Sequence, residues 1–192
     1  MKNYSTNGDI KPVDFFDFEE HSMKIFSIIN KLRRHPEKFI KKLNYLISNI
    51  DNETHKADLN LKYHTTVCFP EVSQPMDSIA FLEKISPKSS LIWSIKYNII
   101  VFEELENSLN QTDDIFIRTD LSNDMIIKIK TNFVLDPMLT VLIIFLISEQ
   151  NRKLIFSDDY SIATVAAICI EDGKILDSYS ESGHTYIFCK IR

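Results

Sequence analysis

The chain has 192 residues, is 44% apolar and 26% charged, and carries a net charge of -5. That length suits one domain with a sizeable core, and the composition excludes disordered, collagen-like and membrane-bundle chains. A mild acidic excess argues against a dedicated nucleic-acid binder, and three glycines leave no room for a G-x-G-x-x-G, a Walker loop or a G-x-S-x-G elbow.

Residues 1–17 read as a polar N-terminal arm, with Pro12 and the Phe15-Phe16 pair, ahead of a single domain at 18–192. Phe18, Ile25, Phe26, Ile28, Ile29 and Leu32 form one helical stripe from Phe18 to Arg34, which Pro36 breaks. Phe39, Ile40, Leu43, Leu46 and Ile47 continue as a second amphipathic helix. Residues 51–58 read as a polar loop and 59–69 as extended chain. A short helix is expected over Met76–Lys84, and one of about four turns from Ile95 to Leu109. The Glu103–Glu106 cluster on the latter reads as a solvated face, or as an interface for a basic partner.

Ile126–Phe133 alternates and predicts a half-buried strand. Pro137 is placed to open a Met138–Gln150 helix at its first turn. The apolar run Met138–Ile147 is too short for a membrane span, which needs about 20 residues. Ile162–Ile170 is apolar on both alternations, so that strand needs cover on both faces. Lys174–Tyr179 and Thr185–Ile191 follow as strands of a meander, after the Glu171-Asp172-Gly173 and Ser180–Gly183 turns. The expected fold class is therefore α/β, a three-layer α-β-α sandwich with a mainly antiparallel central sheet.

The segment Ile28-Ile29-Asn30-x-x-Arg33-x-His35-Pro36-x-x-Phe39-x-x-x-Leu43 resembles the first-helix signature of the CAP superfamily, the cysteine-rich secretory and class 1 pathogenesis-related proteins. Ser78–Leu82 followed by Leu91-Ile92-Trp93-Ser94 is similar to that family's step before its second helix. Asn132-Phe133, an apolar helix, Asn151-Arg152-Lys153 and Tyr160 keep the family order, and segment 51–75 is most similar to plant and protist members. The resemblance implies an α-β-α sandwich with framework residues Asn30, Arg33, Trp93, Asn132 and Arg152. It also implies a cleft with two histidines and two acidic residues able to bind a divalent metal. Asp113-Asp114 stand about where the first of those histidines falls, Thr131 at the second acidic position and Asn151 at the second histidine; the first acidic position has no assigned counterpart, and no histidine occurs between His64 and His184. Threonine and asparagine are poor donors to zinc-like ions, so a degenerate site with no metal, no cofactor and no catalytic residue is expected.

The expected function is a structural or protein-interaction subunit of a larger intracellular assembly, cytoskeletal or ciliary. No apolar leader precedes the polar N-terminus, and three widely spaced cysteines give no disulfide framework, so a cytoplasmic address is expected and secretion is not. An alternative is a lipid or small-ligand carrier using Met138–Ile147 and Phe15, Phe16 and Phe18; core packing accounts for the same residues. A hydrolase reading would use Ser180, Glu181, Ser182 and His184, or a metal at His55, Asp58 and His64; a solvated hairpin and surface side chains account for both groups. Cys169 and Cys189 fall on neighbouring strands and are expected as buried thiols rather than a bridge. Asn30 and Arg33 are expected to hydrogen-bond from a helix to a loop.

Overall fold

A computed structural model describes residues 17–51, 56–59, 65–68, 73–95, 125–131, 136–172, 174–176 and 184–191. The first helix, α1 (Phe18–Arg34), matches the hydrophobic stripe. Asp17, assigned to the arm by sequence, is instead its N-cap: the carboxylate accepts the Glu20 N–H at 2.9 Å. Glu19 and Glu20 in the first turn and Lys31, Arg33 and Arg34 in the last suit the helix dipole. His35 ends α1, Pro36 opens the next turn, and α2 spans Glu37–Ser48 with Phe39, Leu43 and Leu46 buried.

The segment expected as a polar loop is partly strand. A small antiparallel sheet runs β1 (Ile50–Asp51), β2 (Lys56–Leu59), β3 (Thr65–Cys68). Its polar residues fit because a two- to four-residue strand needs only backbone pairing, which leaves little periodicity to read. The next helix, α3 (Ser73–Lys84), begins three residues before the expected Met76, since Pro75 is tolerated in a first turn. Residues 85–91 then lead into the short β4 (Ile92–Trp93).

The expected mainly antiparallel sheet is corrected to a mixed one. Its order is β4-β6-β8-β5, built from β5 (Met125–Thr131), β6 (Ile162–Glu171) and β8 (His184–Ile191), with β7 (Lys174–Leu176) also on β6. β4 joins β6 in parallel, Ile92 opposite Ile162, while the other pairings are antiparallel. The expected meander is also rearranged. β8 passes β7 and pairs directly with β6 from Ala163↔Ile191 to Ile170↔His184. A three-residue β7 cannot offer β8 a full ladder, whereas β6 on one side and β5 on the other can. Asp172 in the β6–β7 turn takes the left-handed region at φ 49°, which aspartate tolerates.

The single expected helix after Pro137 is two: α4 (Pro137–Ile147) and α5 (Glu149–Ile155). Ser148 between them is extended, φ −149° and ψ 134°, and its hydroxyl accepts the Gln150 N–H at 3.1 Å. Helix α4 is apolar on every side, and Val141 to Leu146 are all buried. Each such side chain contributes roughly 1.5–3 kcal/mol relative to exposure. The core joins α1, α2, α4 and the Ala163, Val165, Ala167, Ile187, Cys189 and Ile191 face of the sheet. On the opposite face Thr164, Ala166 and Lys190 are buried as well. Phe81, Phe145 and Phe156 meet edge-on with centroids 5.6–6.2 Å apart, tying α3 to α4 and to the end of α5.

Candidate functional site

The framework positions Asn30 and Arg33 lie one turn apart on the buried face of α1. Asn30 donates through Nδ2 to the Leu91 carbonyl at 3.1 Å and accepts the Leu91 N–H on Oδ1 at 2.7 Å. One side chain thus completes both backbone groups of the residue that leads into β4. The Arg33 guanidinium reaches three carbonyls. Nε donates to Ser89 at 2.8 Å, Nη1 to Ile155, and both terminal nitrogens to Ser157 at 3.2 and 3.3 Å. Ile155 ends α5, so the cation sits at the negative end of that helix. Burial lowers the Arg33 pKa and Asp158 partly offsets it; guanidinium stays charged regardless. Lys88 pairs with the same Asp158, and its N–H donates to the Arg33 carbonyl at 2.8 Å. Four stretches of chain therefore converge here: α1, residues 88–91, the end of α5 and the turn after it.

A second buried arginine repeats the chemistry locally. The break at Ser148 leaves the last carbonyls of α4 without helical donors. Asn151 Nδ2 donates to Ile144 at 2.9 Å, and Arg152 Nη1 to Phe145 and Leu146 at 3.2 and 3.4 Å. The Arg152 guanidinium lies 6.0 Å from the Phe145 ring centroid. Burial lowers its pKa, against Glu149 and Asp77. Among the described residues Asn151 Oδ1 and Arg152 Nε have no hydrogen-bond partner.

At the other end of α1 two polar residues interrupt the apolar stripe. Ser22 donates its hydroxyl to the Phe18 carbonyl at 2.7 Å and accepts the Ala167 N–H at 2.9 Å. Ala167 lies on β6 between the stretches paired with β4 and with β7, so a helix side chain serves an edge N–H that no described strand reaches. His21 is buried, and burial pushes its pKa down to about 4, against the attraction of Asp136 and with the repulsion of Lys24. Its imidazole is neutral at pH 7. Sequence reasoning did not single out either residue, although polar side chains inside the Phe18–Ile25 stripe were a readable signal.

Of the cleft positions, Thr131 and Asn151 lie among the described residues, each engaged by a different part of the fold. Thr131 ends β5, paired with Thr185 in the ladder. Asn151 turns its amide onto α4 and is wholly buried. Asp113, Asp114 and the framework residue Asn132 lie outside the described residues, as do the Ile95–Leu109 helix beyond Ile95 and its Glu103–Glu106 cluster. Trp93 is half-buried at the rim of the core, edge-on to Phe26 with centroids 5.0 Å apart. Among the described residues no group of three His, Cys, Asp or Glu could hold a metal.

Of the hydrolase residues, Ser180, Glu181 and Ser182 lie outside the described residues, and His184 opens β8 opposite Ile170. His55 and His64 are likewise outside, and Asp58 belongs to β2. The apolar residues that motivate a lipid carrier, Met138–Ile147, supply core packing through Leu139 and Val141–Leu146; Phe15 and Phe16 are not described. No described helix is long and apolar enough to cross a membrane.

Cys169 and Cys189 are free and buried, and burial pushes the Cys189 thiol up to about 12. Cys189 stands opposite Val165, four residues from Cys169. That offset is about 13 Å along the strand, well beyond disulfide reach. Comparison with known proteins returns no match, whether to a family model, a curated protein or a solved structure.

Proposed function

We propose that this chain is a non-catalytic CAP-like domain serving as a structural or protein-interaction subunit of an intracellular assembly, cytoskeletal or ciliary. The observation that carries this reading is the use made of Asn151. It stands where the family resemblance puts a cleft histidine, and its amide is spent on the Ile144 carbonyl. Its Nδ2 caps a helix end and the residue is wholly buried, so it presents no side chain to a substrate or ion arriving from solvent. Asn30, Arg33 and Arg152 support the same reading, because each binds backbone carbonyl or amide groups of its own chain.

The finer architecture belongs to this proposal too. A three-layer α-β-α arrangement is supported by β6 and β8, where Val165 and Cys189 are buried on the helix side and Thr164, Ala166 and Lys190 on the other. Two measurements test the function. Sedimentation of native extract should find the chain in a complex much heavier than 22.4 kDa. Elemental analysis of the purified full chain should find no stoichiometric metal. A free monomer in extract, or a tightly held zinc-like ion, would sink the reading.

A further inference from the structure

The strongest unassigned feature is electrostatic. Residues 31–42 carry six cations, Lys31, Arg33, Arg34, Lys38, Lys41 and Lys42, against the single carboxylate of Glu37, in a chain whose total is -5. Arg33 is buried, but the other five are exposed at the corner where α1 meets α2. Lys38, Lys41 and Lys42 share one side of α2 by three- and four-residue spacing, as Lys31 and Arg34 do on α1. Tyr45, 68% exposed, stands one turn beyond Lys41 and Lys42.

Folding explains only part of this. Lys31 and Arg34 suit the C-terminal end of α1. Lys38 is the second residue of α2, at the positive end of its dipole, and no basic residue occupies that helix's last turn. Like charges three and four apart also work against the helix. None of the five cations makes an ion pair among the described residues. The face costs α2 stability and leaves its charge open.

We infer that the α1–α2 corner is a docking surface for an acidic polypeptide segment carrying an aromatic or apolar residue. Charge complementarity selects an anionic occupant, and the exposed ring of Tyr45 supplies the apolar anchor common at protein interfaces. A lipid surface fits less well, because the apolar residues of α2, Phe39, Leu43 and Leu46, are committed to the core. Nucleic acid fits less well because the only exposed arginine among the described residues, Arg34, spends its Nε on the Asn30 carbonyl.

This inference rests on the protein-interaction reading and names its partner class. The test is fluorescence polarisation of the full chain with a labelled peptide of about eight glutamates around one tyrosine, at low and physiological salt. Binding should weaken with salt and fall about tenfold in Lys38→Glu/Lys42→Glu. Lys24→Glu/Lys153→Glu, the same charge change elsewhere, should alter it by less than about twofold. Should the reversal impair folding, the neutral pair Lys38→Gln/Lys42→Gln and the single Tyr45→Ala should each still weaken binding about threefold.

No salt-dependent binding, or an equal loss in the control, would overturn the inference. So would displacement of the peptide by duplex DNA or phosphatidylserine–phosphatidylcholine vesicles at matched charge, or self-association of the chain abolished by the same reversal. Failed peptide binding with the heavy native complex intact overturns this surface alone. Peptide binding by a chain that is a free monomer in extract upholds the surface and overturns the assembly reading alone.

Discussion

The two buried arginines do the same chemistry at different range. Arg33 reaches carbonyls 56 to 124 residues away in sequence, at Ser89, Ile155 and Ser157. Arg152 reaches carbonyls six and seven residues away, at Leu146 and Phe145. Both neutralise the end of a helix, yet only Arg33 also fastens separate stretches of chain together. Buried cations held by backbone dipoles rather than carboxylates can therefore act as joints or as local repairs. Sequence spacing of the acceptors separates the two.

The sharpest way to break this distinction is Arg33→Met. It should cost about 4 kcal/mol in urea unfolding, because several charge-assisted bonds vanish and buried carbonyls lose their donors. Arg33→Lys should recover little of this, since an ammonium cannot span three acceptors. Asn30→Ala comes next, at about 2 kcal/mol, with faster amide exchange through residues 85–91 and little change in α4. Ser22→Ala should cost about 1 kcal/mol by stranding the Ala167 N–H. Arg152→Met should lie between no change and about 1 kcal/mol, with exchange quickened only in the last turn of α4. There, apolar replacement also relieves the burial of a charge. A loss at Arg152 equal to that at Arg33 would erase the distinction.

The smallest effect at neutral pH is that of His21. Its folded-state pKa of about 4 lies below the ordinary 6.5, so the unfolded chain binds the extra proton first. Its contribution is fully present above about pH 6.5 and is lost as the pH falls toward about 4. Compared with His21→Gln, the wild type should lose stability across that window in paired urea titrations. A difference that stays flat with pH would show that this histidine does not titrate as a buried neutral group.

Much of the fold was legible because its signals are local and periodic. The stripe from Phe18 to Leu32 gives α1, Pro36 gives its stop, and two-sided burial marks β6. Asn30 and Arg33 were readable as helix-to-loop donors because both are polar on an apolar face. The break at Ser148 was not legible, since a helix apolar on every side has no stripe whose end can be seen. Only Ser148 itself, a capping residue type ahead of Glu149, signalled it. The passage of β8 over β7 onto β6 was illegible for another reason. Alternation says which way a side chain points but not which neighbour completes the ladder. Of the candidate site, Asn151 was picked out as a position, while its inward role depends on that unseen break.

Ala167 is a small core residue whose backbone N–H meets the Ser22 hydroxyl, so β6 and the start of α1 lie within hydrogen-bond reach there. A bulkier residue there would tip a rod of about 25 Å, and the displacement would be largest at the far tip, where Arg33 anchors and the cationic corner begins. The two ends of one helix thus carry different duties, the first seated on the sheet and the last holding part of the cationic corner.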